Sequence, residues 1–83
     1  MEDWKRVARR LLRNEMDKRA VRFKKLSSLL ESQGVTLEVV PLTNKVNRGT
    51  FSFIFFLQCM RALDVDVIRL FDKELEAAKE MTG

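Results

Sequence analysis

Residues 42–56, LTNKVNRGTFSFIFF, pass from the most polar short segment of the chain to the most apolar one across a single glycine. If the first half is helical, Leu42 and Val46 are four apart and face a core, which leaves Thr43, Asn44, Lys45, Asn47 and Arg48 on the remaining faces. Those five carry the hydrogen-bonding groups that base edges and phosphates pair with. Gly49 suits the left-handed residue that closes a helix, and Thr50 or Ser52 suits the cap of the next one. The stretch predicts a polar helix, a glycine stop and an apolar helix that holds it.

The rest of the chain fits a helical setting. Three glycines and one proline beside 46% hydrophobic residues leave few turns for an all-β fold. Eighty-three residues make one small domain, expected to cover 1–83. Cys59 is the lone cysteine and there is no histidine, so an intrachain disulfide is excluded and a zinc site lacks ligands. No cofactor is expected. The longest apolar run, 53–57, is far short of the roughly 20 residues that cross a bilayer, and the charged start lacks a signal peptide's apolar segment. These readings predict a cytoplasmic chain without a membrane span.

Charge is unevenly placed. Residues 1–25 hold ten Lys or Arg against four Asp or Glu, whereas residues 50–83 hold four basic and six acidic side chains. One end attracts polyanions and the other repels them.

In chain order, Asp3 is a candidate cap for a first helix over 3–17, with Trp4, Val7, Ala8, Leu11 and Leu12 as its apolar stripe. Arg9, Arg10 and Arg13 lie on its other faces, where they either touch phosphates or an anionic membrane or simply face solvent. Phe23, Leu26, Leu29 and Leu30 predict a second helix over 22–33 that stops at Gly34. Arg22, Lys24 and Lys25 stand at its start, where the helix dipole disfavours cations unless an anion binds there. Residues 35–40 read as a turn into the third helix, with Thr36 or Glu38 near its cap and Pro41 in its first turn. A fourth helix runs over 50–63 on Phe53, Phe56, Leu57, Met60 and Leu63, which leaves Ile54 and Phe55 off that stripe, either outside as a candidate partner surface or covered by a wider core. A fifth, acidic helix is expected over 66–80.

A second helix, a turn, a polar helix ending in Arg48-Gly49 and an apolar helix ending in Ala62-Leu63-Asp64-Val65 resemble the lambda-repressor-like helix-turn-helix fold. The chain is also similar to a family of short uncharacterised bacterial domains whose pattern is near L-x-N-K-[IV]-x-R-G-x-F-[ST]-x-x-F-x-x-Q-C. Leu42, Asn44, Lys45, Val46, Arg48, Gly49, Phe51, Ser52, Phe55, Gln58 and Cys59 match it, and the likeness reaches upstream to Trp4. Pro41 stands where that family usually has a polar residue, and Ala20-Val21 where it usually has a glycine-containing turn. The resemblance implies an all-α, compact bundle of about five helices. It also implies that the second helix crosses the sugar-phosphate backbone while the third enters the major groove.

On that reading Thr43, Asn44 and Asn47 are base-edge candidates, and Lys45, Arg48, Arg22, Lys24 and Lys25 neutralise phosphates. The expected function is double-stranded DNA binding by a small bacterial or phage transcriptional regulator, working as a homodimer through Ile54 and Phe55. The competing reading is a protein-binding adaptor or inhibitor on the same scaffold. Catalysis is not expected, because there is no histidine, tyrosine, glycine-rich phosphate loop or metal cluster, and no small-molecule substrate is evident.

Overall fold

The computed structural model describes residues 3–71, which form four helices without a strand. α1 spans Trp4–Lys18, α2 Phe23–Glu31, α3 Val39–Arg48 and α4 Phe53–Ala62. Asp3 starts α1 as its spacing predicts, its carboxylate accepting from the backbone N–H groups of Lys5 at 3.1 Å and Arg6 at 3.4 Å. Ser52, one of the two expected caps, starts α4 by accepting from the Phe55 N–H at 3.0 Å. Arg22 and Glu38 precede α2 and α3 without a side-chain cap. Pro41 is the third residue of α3, where its missing N–H would have had no intrahelical partner.

Three helices end in the same way. Ala20, Gly34 and Asp64 take left-handed φ values of 55°, 85° and 60°, and the residue after each is a valine. Those valines donate back across the last turn, Val21 to the Met16 carbonyl at 2.9 Å, Val35 to Leu30 at 3.0 Å and Val65 to Met60 at 2.8 Å. This is the Schellman arrangement, in which the paired apolar side chains also meet. Met16, Leu30 and Met60 are buried, and all three valines pack against the core. Only the second end has glycine at the left-handed position, so Ala20 and Asp64 carry conformational strain.

α1 packs on α3, α3 on α2, and α2 on α4. Leu12 and Met16, Leu26 and Leu30, Leu42 and Val46, and Phe55, Phe56, Cys59 and Met60 supply the core from the four helices in turn, closed by Leu63. Gly49 ends α3 with φ 69°, and a side chain there would collide with the Lys5 carbonyl oxygen and stand 2.7 Å from its carbon. Glycine is therefore required both for the turn and for the approach of α1.

Three expectations are corrected. α4 turns Phe55 inward and leaves Phe53 and Leu57 exposed, because a run that is apolar on every side offers the helical period no contrast with which to choose a face. Phe55 is 4% exposed and stacks obliquely on Phe51 at 5.7 Å, so it is a core residue and not part of a partner surface. Residues 65–71 are not helical, although Asp64 and Asp66 offer caps, because the left-handed Asp64 sends the chain back over the core, where Val65 and Ile68 pack. The remainder of the expected fifth helix, 72–80, lies outside the described residues.

The two glycine stops should respond differently to a methyl group. Gly34 has open space around it, so Gly34→Ala is expected to cost about 1 kcal/mol from backbone strain alone. Gly49→Ala must also displace the α1 backbone, and is expected to cost about 3 kcal/mol or more. Ala20→Gly should stabilise by about 0.5 kcal/mol or more as strain is relieved. Urea midpoints of the three variants check this order.

Candidate nucleic-acid interface

α3 presents its outer face to solvent because Leu42 and Val46 tie the opposite face to the core. At about 100° per residue, Asn44 lies about 180° from the midpoint of those two, with Val40 and Arg48 within about 40° on either side. Asn44, Val40 and Arg48 are all exposed. The Asn44 carboxamide has no hydrogen-bond partner among the described residues, while its backbone carbonyl accepts from Arg48 Nε at 3.4 Å. Its side chain is free to pair outward.

On one flank of this strip Lys45 is half-buried, its ammonium 5.0 Å from the centre of the Phe55 ring. A cation over an aromatic face is held electrostatically, so Lys45 ties α3 to α4 while keeping its charge at the surface. Lys45 and Arg48 line an open groove of about 370 Å³ with Pro41, Thr50, Phe51 and Ser52. Thr43 is half-buried and its hydroxyl donates to the Val39 carbonyl at 2.7 Å, which leaves only lone pairs for a ligand.

The other flank comes from α1. Arg9 donates to the Asn47 carbonyl at 3.1 Å, and Arg13 donates to the Asn47 side-chain oxygen at 3.4 Å. Arg13 also lies 5.7 Å from the centre of the Phe23 ring at the start of α2. One guanidinium thereby joins the end of α3 to the beginning of α2, next to Arg22. Lys24 and Lys25 are exposed but turn progressively away from Phe23 around α2. Of the residues singled out in the sequence, Asn44, Lys45, Asn47 and Arg48 share one surface, and Arg22 adjoins it through Arg13 and Phe23.

The sequence did not assign Arg9 and Arg13 to α3, nor Val40 to its outer face. The i, i+4 spacing of Val40 and Asn44 was the available signal. Ile54 is exposed as expected, 70% open beside Phe53 at 71% and Leu57 at 50%. Glu15 is buried and paired with Arg19 at 2.6 Å and Lys18 at 3.5 Å, which fastens the last turn of α1.

A model of one protein family matches residues 4–68, which span all four helices. The chain belongs to that family, described as a domain of unknown function (DUF6471). Its matched span contains every residue of the surface just described and ends where the described chain has left α4. No curated protein and no solved structure matches the chain. Among the described residues, no helix is long and apolar enough to cross a membrane, and no group of three or more His, Cys, Asp or Glu is placed to hold a metal ion.

Cys59 sits under this surface. Burial removes solvent from the thiolate and pushes the thiol up to about 12 from 9.0, with Lys45 opposing the rise. The folded thiol is thus harder to ionise than the unfolded one, so its contribution to stability is full below pH 9 and is lost as pH rises toward 12. At pH 8 a thiol-specific reagent should label the native chain about 100-fold or more slowly than the chain in denaturant, since the thiolate is the reacting form. Labelling rates with and without urea check this.

Proposed function

We propose that this domain binds double-stranded DNA through α3, as a small transcriptional regulator with a lambda-repressor-like helix-turn-helix arrangement. The observation that carries the reading is the layout of charge across α3. An uncharged strip, Val40 and Asn44, runs along the outermost line of the helix. Cations stand around it, Lys45 on one flank, Arg9 and Arg13 on the other, and Arg48 at the C-terminal end of the same line. A major groove has the complementary layout, with base edges on its floor and a phosphate backbone along each rim. A merely basic patch would be charged throughout.

α2 supports the same reading. It starts with Arg22, Lys24 and Lys25, no acidic residue in its first turn and no side-chain cap, so its free N–H groups and its cations favour an anion together. Arg13 bridges that end to α3, which would let one duplex meet both.

A second reading draws on a different surface. Phe53, Ile54 and Leu57 are exposed together on α4, an apolar group of the kind that marks protein contacts. In the DNA-binding reading this surface joins two copies into a homodimer, which would set two copies of α3 on neighbouring half-sites. In the alternative the domain is an adaptor or inhibitor that uses this surface to grip another protein, with the α3 surface incidental.

Salt titration on mixed genomic DNA separates them. Affinity is expected to fall about tenfold or more for a fourfold rise in salt when several phosphates are neutralised. The Lys45→Ala, Arg48→Ala double variant should bind more weakly while keeping its helical circular dichroism. Absence of binding at low salt leaves the adaptor reading in possession.

Association is checked independently by light scattering. The chain is expected to give a dimer mass at high concentration, and Ile54→Asp to return it to a monomer. A monomer mass for the unaltered chain, with and without DNA, removes the homodimer.

A further inference from the structure

We propose that α3 reads an adenine through Asn44 and packs Val40 on the 5-methyl group of a nearby thymine, so the half-site carries A·T pairs at these positions. This rests on the DNA-binding reading above and adds what the helix recognises. The N-terminal half of α3 stands clear of the protein, with Val39, Val40, Pro41 and Asn44 exposed and only Leu42 buried and Thr43 half-buried. No charge falls between Glu38 and Lys45 in a chain whose residues are 34% charged. An exposed stretch without charges after the Glu38 cap, carrying Val40 at 69% exposure, is unfavourable in water and is accounted for by contact with base edges, where an unpaired charge would have to be desolvated.

The two asparagines are chemically unequal. Recognition of adenine uses both ends of a carboxamide, the oxygen accepting from N6 and the amide donating to N7. The Asn47 oxygen already accepts from Arg13, which holds that carboxamide toward α1, so turning both of its ends onto an adenine would give up this contact. Asn44 has both ends available and occupies the outermost line of the helix. It is the adenine reader.

Val40 lies one turn before Asn44 on the same line, about 6 Å back along the axis. That distance is close to two base-pair steps of about 3.4 Å, so a helix lying along the groove brings the valine over a pair next to, or one beyond, the adenine. Its two methyl groups offer apolar contact, and thymine is the base with an apolar group on the major-groove edge.

The test selects bound duplexes from a randomised double-stranded library with the full chain at low salt, then alters single atoms in the selected site. Replacing one adenine by 7-deazaadenine is expected to weaken binding about tenfold, and Asn44→Ala to abolish that sensitivity while Asn47→Ala retains it. Replacing one thymine by deoxyuridine is expected to weaken binding about fourfold, the effect of one buried methyl, and Val40→Ala to abolish that sensitivity. Both variants alter exposed side chains and are checked for native circular dichroism first. Enrichment without sequence preference, selected sites lacking such A·T pairs, or sensitivity that follows Asn47 in place of Asn44 overturns the proposal while DNA binding stands. Retention of no duplex at all overturns both.

Discussion

The close approach of the α1 backbone to Gly49 is the constraint on which the rest of the structure depends. With a Cβ at that position the Lys5 peptide could not sit where it does, and α1 would stand farther from the end of α3. Arg9 and Arg13 reach Asn47 only because the two helices are that near. The other end of α3 is fixed by a different contact, the Ser27 hydroxyl donating at 2.6 Å to the carbonyl of Leu37 in the preceding loop. With Leu42 and Val46 seated between these ends, the outward line of the helix is determined by its neighbours on both sides. Its aim is a property of the fold, and no side chain on the exposed face sets it.

What was legible in the sequence follows from contrast between faces. α1, α2 and α3 alternate apolar and polar residues clearly enough that their number, capping at Asp3 and stops at Gly34 and Gly49 could be read directly. α4 lacked that contrast, so its existence was legible but its rotation was not, and Phe55 exchanged places with Phe53 and Leu57. The non-helical path of residues 65–71 was missed because a left-handed Asp64 is favoured by the fit of Val65 and Ile68 to the core, which no local propensity records.

For the site, Asn44 and Arg48 were legible because they lie opposite Leu42 and Val46 on one turn-by-turn pattern. The contribution of α1 was not, since Arg9 and Arg13 meet Asn47 across 38 and 34 residues of chain. A contact of that range depends on how helices pack, and a local window holds no information about it. The same holds for the fate of each hydrogen-bonding group. Sequence places three uncharged polar side chains on α3, but only the fold shows that the Thr43 hydroxyl donates to Val39 and that the Asn47 oxygen accepts from Arg13.

The link from Arg13 to Asn47 and Phe23 has a thermodynamic consequence. A long cationic side chain that is mobile in the free protein loses rotamer freedom on meeting a ligand, typically about 0.5 to 1.5 kcal/mol each. Arg13 is already held by a hydrogen bond and a ring face, and Arg9 by a backbone carbonyl. Much of their ordering is completed when the chain folds. These two guanidinium groups therefore enter any complex preorganised, and the entropy that free arginines would surrender at a binding surface has here been charged to folding.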